Sequence, residues 1–192
     1  SLASQSGWSP SPDGAACGSG STCQSQRCVC TGVPGFAGPP NRIASFSTGT
    51  WPYSVVLGDV NGDGKTDIVV ATPNGNNVGV LLNSGAGNFS ANIGYAAGSQ
   101  PTGVALGDVN GDGKADIVAA NFGSGSVSVL LNDGTGTFLA KADYATGAQP
   151  YSVALGDVNG DGKADIVSAN SGAGSVSVLL NNGTGTFASK VD

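Results

Sequence analysis

The sequence predicts an all-β fold of β-propeller-type blades, each of about four short antiparallel strands, and three observations predict it. The chain repeats itself at a spacing of 49 residues: Tyr53-Ser-Val-Val-Leu-Gly-Asp59 returns as Thr102-Gly-Val-Ala-Leu-Gly-Asp108 and Tyr151-Ser-Val-Ala-Leu-Gly-Asp157. Every copy holds short apolar, β-branched runs, such as Ile68-Val-Val-Ala71, Ile117-Val-Ala-Ala120 and Ile166-Val-Ser-Ala169. Gly- and Asn-rich turns separate those runs.

Within a unit the first strand ends at Leu-Gly-Asp, a loop follows, and the Ile-Val run makes the second strand. The third strand is Val78-Gly-Val-Leu-Leu-Asn83, repeated at Val127–Asn132 and Val176–Asn181. Gly87-Asn-Phe89, Gly136-Thr-Phe138 and Gly185-Thr-Phe187 then place one phenylalanine per unit in the expected core, and Tyr95-Ala-Ala-Gly98 and Tyr144-Ala-Thr-Gly147 begin the outer strand. Blades that stack face to face cover a strand on both sides, which explains apolar runs in place of strict alternation. Stability then comes largely from contacts between neighbours. Trp51, Tyr53 and Tyr151 precede the first strand of a blade. They are expected to pack against the neighbouring blade, the other reading being an aromatic face offered to a sugar ring.

The loops carry the chemistry. Asp59-Val-Asn-Gly-Asp-Gly-Lys-Thr-Asp67 returns at Asp108–Asp116 and Asp157–Asp165, and nine of the 13 acidic residues lie in these three loops. All the acidic residues are aspartate; the chain has no glutamate, histidine or methionine. Asp59, Asn61 and Asp63 offer side-chain oxygens at positions 1, 3 and 5, Lys65 its carbonyl at position 7, and Asp67 closes the loop at position 9. Such an all-oxygen set suits calcium over magnesium, zinc or copper. Gly62 and Gly64 supply the positive φ that a tight ion-wrapping loop demands. An EF-hand would need an acidic ligand at position 12, where Val70, Ala119 and Ser168 stand, and flanking helices where strands are expected. Asp, Asn and Gly also make ordinary turns. Three copies in one frame, each with three carboxylates and one lysine, favour an ion.

The string Leu-Gly-Asp-Val-Asn-Gly-Asp-Gly-Lys-x-Asp-Ile-Val, with the later Leu-Leu-Asn-x-Gly-x-Gly-x-Phe, resembles the FG-GAP or VCBS-type repeat. That family forms propeller blades in integrin α-chains and in many secreted proteins. The resemblance covers about residues 41–192, with units at 41–89, 90–138 and 139–187 and the start of a further strand. It implies that the loop joins the first two strands of a blade and binds calcium at three sites. The first is Asp59, Asn61, Asp63, Lys65 (carbonyl) and Asp67; the second Asp108, Asn110, Asp112, Lys114 and Asp116; the third Asp157, Asn159, Asp161, Lys163 and Asp165. Closed propellers have four to eight blades and three units are present, so a larger repeat protein or an oligomer is expected, with a partner on the open faces. Arg42–Gly49 aligns with the outer strand of a preceding blade, Phe46 standing for Tyr95 and Tyr144.

Residues 1–40 form a separate Ser/Gly/Pro-rich segment. Its Cys17, Cys23, Cys28 and Cys30 are expected to make two disulfides in an oxidising compartment, either 17–28 with 23–30, the favoured arrangement, or 17–30 with 23–28. A net charge of −6 and a pI near 4.2 argue against nucleic acid. Three calcium ions would bring the formal charge near zero. No apolar run reaches membrane-span length, and no signal peptide is visible at Ser1. Without histidine or glutamate, and with Asp13, Asp133, Asp143 and Asp192 scattered, catalysis is not expected. Asn88-Phe-Ser90 and Asn182-Gly-Thr184 match the glycosylation acceptor pattern. The expected function is a secreted, calcium-binding, non-catalytic adhesion or binding scaffold, with an extracellular protein or carbohydrate, or further copies of itself, as partner. The alternatives are a subunit of an extracellular fibre or sheath and a non-catalytic appendage of a polysaccharide-active enzyme.

Overall fold

The computed structural model describes residues 44–189 and, for the backbone alone, two short strands before them. The chain separates into Ser1–Ser45 and Phe46–Asp192. In the first unit β1 (Ser21–Gln24) and β2 (Arg27–Cys30) make an antiparallel hairpin that sets Cys23 opposite Cys28 and Ser21 opposite Cys30. The disulfides expected among Cys17, Cys23, Cys28 and Cys30 lie outside the described residues: Cys17 entirely, the other three in their side chains.

The second unit is the repeat. β3 (Ser54–Gly58), β4 (Asp67–Thr72), β5 (Asn77–Leu81) and, after a small hairpin of β6 (Asn83–Gly85) and β7 (Asn88–Phe89), β8 (Ile93–Ala96) form one antiparallel sheet in the order β3-β4-β5-β8. β9 (Pro101–Gly107), β10 (Asp116–Asn121), β11 (Ser126–Leu130) and β12 (Ala142–Ala145) repeat it, and β13 (Pro150–Gly156), β14 (Asp165–Asn170) and β15 (Ser175–Leu179) form a third, three-stranded sheet among the described residues. The first two sheets each span a boundary of the 49-residue units, because their outer strands β8 and β12 are encoded after the unit's phenylalanine. The registers coincide: Leu57 faces Ile68 and Ile68 faces Leu81, as Leu106 faces Ile117 and Ile117 faces Leu130, and Leu155 faces Ile166 and Ile166 faces Leu179. Pro101 and Pro150 open their strands, where a missing backbone donor costs least.

Two apolar cores lie between successive sheets. One joins Val60, Val69, Val78 and Val80 of the first sheet to Val104, Ile117, Ala119 and Phe138 of the second. The other joins Val109, Val118, Val127 and Val129 to Val153, Ile166 and Leu179. Neighbours along β10 alternate between the two cores, which is why all six of its residues are buried and its sequence shows no polar face. Edge-to-face ring pairs mark the same junctions: Tyr95 on Phe138 with centroids 5.2 Å apart, and Tyr144 on Phe187 at 5.3 Å. Phe46 sits on Phe89 at 5.1 Å, the ring contact that Tyr95 and Tyr144 make in later repeats, although residues 44–49 form no strand.

Candidate metal loops and an aromatic pocket

The first strand of each sheet ends at Gly58, Gly107 or Gly156, and the chain must return antiparallel nine residues later. It does so by hydrogen-bonding its own side chains. Oδ1 of Asp59 accepts from the amides of Asn61 (3.2 Å) and Gly62 (2.8 Å), and Oδ2 from Gly64 (2.7 Å). Oδ1 of Asn61 accepts from Asp63 at 3.1 Å, and Oδ1 of Asp63 from Lys65 at 2.9 Å. The oxygens at positions 1, 3 and 5 are thereby turned toward the loop's own backbone. Asp108 repeats the pattern on Gly111 and Gly113, and Asp157 on Gly160 and Gly162. The turn requires φ of +73° at Gly62 and +79° at Gly64, as the sequence predicts.

Position 9 has a different task. Asp67, Asp116 and Asp165 are fully buried. Oδ2 of Asp67 accepts from the Val60 amide at 2.9 Å and Oδ1 from the Asn83 amide at 2.7 Å, tying the loop to the end of the third strand. Asp116 does this with Val109 and Asn132, Asp165 with Val158 and Asn181. Position 7 brings an ammonium group to the loop: Lys65, Lys114 and Lys163 pair with Asp63, Asp112 and Asp161 at 2.8, 3.4 and 3.2 Å.

These contacts set the electrostatics. The Lys65 side chain and amide hold Asp63 below the usual carboxylate range, and the Gly162 amide leads those that lower Asp157. Burial pushes Asp116 up, and the like charges of Asp112 and Asp108 add to it, against the amides of Asn132 and Val109. The donor set fits a hard divalent cation in kind, being oxygen throughout. Among the described residues no group of three or more His, Cys, Asp or Glu side chains is gathered as a metal cluster. The exposed positions 1 and 5 and the buried position 9 serve separate hydrogen-bond networks.

The sequence places Asn132 and Asn181 only as the last residues of third strands, yet they join one sheet to the next. The Asn132 side-chain amide donates to the carbonyl of Val60 in the preceding loop at 2.8 Å and to Ala115 at 2.9 Å. Asn181 donates to Val109 and Ala164 at 2.7 and 2.9 Å. The recurring Leu-Leu-Asn was the available signal, since aliphatic packing does not call for an amide at a fixed position.

Trp51, Tyr53 and Tyr151 are not buried between blades, although Tyr151 does meet Phe122, the residue after β10 of the neighbouring sheet, edge to face at 6.3 Å. All three are exposed. Tyr53 and Tyr151 meet edge to face at 6.3 Å across Thr102, the smaller residue at the equivalent position, whose hydroxyl is turned to the Tyr151 carbonyl at 3.0 Å. With Phe122, Asn74 and Gln100 they line a pocket of about 220 Å³. Trp51 and Gln100, equivalent residues, hold left-handed φ values of 60° and 52°, a strain that non-glycine residues seldom carry. Asn88, at the start of β7, and Asn182, the acceptor-pattern residues, are exposed, and Asn182 accepts from the Thr184 amide.

The profile of the FG-GAP-like repeat matches residues 32–70, 59–119, 108–168 and 157–192. No curated protein matches. Among solved structures, the chain is similar to the Tc holotoxin pore of Photorhabdus luminescens, with 22% identity over 71% of this chain and a TM-score of 0.44. It is also similar to the V. cholerae biofilm matrix protein Bap1, with 24% identity over 73% and a TM-score of 0.46. It spans 7% and 20% of those two chains.

Proposed function

This chain belongs to the FG-GAP-like repeat family, and from that premise we propose that it is a calcium-stabilised, non-catalytic binding scaffold that works outside the cell. The observation that carries the reading is the recurrence of one loop in three copies, each with its position 1, 3 and 5 oxygens turned inward. Every copy carries three carboxylates and one lysine, and a divalent ion would supply the missing positive charge. Asp59, Asn61, Asp63, the Lys65 carbonyl and Asp67 would hold the first ion, and their equivalents at 108–116 and 157–165 the others. Extracellular calcium modules bind at about 10⁻⁴ to 10⁻³ M, which suits a protein whose sites fill outside cells. Secretion is part of the proposal, supported by the cysteine-rich head and the calcium loops.

The ligand surface is the aromatic pocket. Exposed rings of Trp51, Tyr53 and Tyr151 beside the amides of Asn74 and Gln100 suit the apolar face and hydroxyls of a sugar ring. The pocket lining differs between repeats whose loops and cores are nearly identical: Trp51 against Gln100 and Gln149, and Pro73 against Phe122 and Ser171. A glycan array probed with the native chain and with Trp51→Ala tests the ligand, and calcium titration calorimetry tests the loops. Loss of glycan signal in Trp51→Ala supports the pocket; an array blank for both chains removes carbohydrate as the ligand.

A further inference from the structure

Asparagine is followed by glycine five times in the chain, at Asn61, Asn74, Asn110, Asn159 and Asn182, and the fold treats these pairs differently. In such a pair the glycine nitrogen can reach the asparagine Cγ, because no Cβ on the following residue blocks the approach. Attack requires the glycine amide to give up its proton and the side-chain oxygen to take negative charge. In the three aspartate-rich loops the first requirement fails. The amides of Gly62, Gly111 and Gly160 donate to Oδ1 of Asp59, Asp108 and Asp157 at 2.8, 2.7 and 2.7 Å, and a carboxylate there opposes a second negative charge beside it. Asn74 lies in the helical turn Pro73–Gly75, closed by the Asn76 amide on the Pro73 carbonyl at 3.1 Å. Side chains on such a turn lean toward its N-terminus, away from the following amide.

Asn182 meets both requirements. Its Oδ1 accepts from the Thr184 amide at 2.9 Å and from the Thr184 hydroxyl at 2.8 Å, two donors on the oxygen where charge would develop. Those bonds fold the side chain back over its own backbone. The Gly183 amide donates to Oδ1 of Asn181, an uncharged acceptor, at 2.8 Å. The repeat itself shows that the product fits. Ser84 and Asp133 hold the equivalent position in the other two copies, and all three residues are exposed. Asp133 accepts from the Thr135 amide and hydroxyl at 2.8 and 2.7 Å, the same pair of contacts that Asn182 makes. The Thr135 hydroxyl, and then its amide, hold Asp133 below the usual carboxylate range, so this turn favours a negative charge.

We propose that Asn182 is a deamidation site, at which the folded chain converts a neutral turn into an anionic one. The Gly183 nitrogen bonds to Cγ of Asn182, the Cγ–Nδ2 bond breaks, and ammonia leaves with the proton that the glycine amide has lost. Water then opens the resulting succinimide at either carbonyl, giving aspartate or isoaspartate. Aspartate reproduces the turn of the second repeat, whereas isoaspartate lengthens the backbone by one methylene. A Cβ on Gly183 would lie 3.0 Å from the Lys163 side chain, so the new carboxylate arises beside the lysine that pairs with Asp161 in the third loop. The proposal does not depend on calcium or on a sugar ligand.

The test incubates the full chain at mildly alkaline pH and follows each pair by peptide mass mapping, with isoaspartyl methyltransferase marking the second product. The chain is made without N-glycosylation, because Asn182-Gly-Thr184 is also an acceptor triplet. Folded, it should convert Asn182 several-fold faster than any of the other four pairs. In concentrated urea, where the turn is lost, the five rates should converge. Thr184→Val keeps the backbone donor and removes the hydroxyl, so it should slow Asn182 in the folded chain and leave the rate in urea unchanged. Asn182 converting no faster than the other pairs in the folded chain, a ranking that persists in urea, or a Thr184→Val chain as fast as the native one would each overturn it.

Discussion

The side-chain amide of Asn132 donates to the carbonyl of Val60, 72 residues earlier in the chain, and Asn181 repeats the bond on Val109. Each asparagine thus fastens the aspartate-rich loop of one sheet to the turn of the next. Replacing Asn132 with alanine leaves two backbone carbonyls, Val60 and Ala115, without that donor, at a cost of about 1–3 kcal/mol. Asn83→Ala breaks an exposed bond within one sheet and should cost less. Equal losses for the two variants in urea unfolding would show that the bond between sheets adds nothing.

Phe138 lies buried between Tyr95 and the second sheet, while Phe89 and Phe187 are half-buried. Phe138→Ala is expected to destabilise by about 3–5 kcal/mol. Phe89→Ala and Phe187→Ala should fall below it, in the order of burial. Denaturation midpoints at constant m-value are the measurement.

Gly136→Ala places a Cβ 2.9 Å from Leu82 at a φ of +81°, and Gly87→Ala meets the same kind of backbone, at +72°, with open space. The second change carries only the conformational penalty, about 1–2 kcal/mol. The first adds a displaced neighbour across the sheet junction, so Gly136→Ala should melt at the lower temperature. Identical melting would deny the close approach.

Calcium at a hundredfold excess over its dissociation constant should stabilise the fold by about 2.7 kcal/mol per independent site, and excess chelator should remove that gain. Asp112→Ala should reduce the calorimetric stoichiometry from three ions to two, because Asp63 and Asp161 belong to other loops. Melting that ignores both calcium and chelator would reject a structural role for the ion.

Much of the fold was legible because it is local. The Ile-Val runs, the Gly-Asp-Gly turns and the 49-residue period specify strands, loops and their order without reference to distant residues. The loops were found by donor type and spacing. The division of labour inside them was not: Asp67 resembles Asp63 in sequence, and only folding buries one against the Val60 and Asn83 amides while leaving the other exposed beside Lys65. The exposure of the aromatic residues was not legible for a similar reason. Burial is the usual fate of a tyrosine, but the small Thr102 between Tyr53 and Tyr151 lets the two rings meet outside the core.

By itself the sequence determined the repeat, the strand order within a sheet, the oxygen-rich loops and the family. The tertiary structure decided which of three equivalent valines is covered, which carboxylate is buried, and which asparagine reaches a neighbouring sheet. Periodicity assigns identical side chains to identical local structure; their energies differ because burial depends on what stands opposite, and that is settled only when sheets distant in the chain come together.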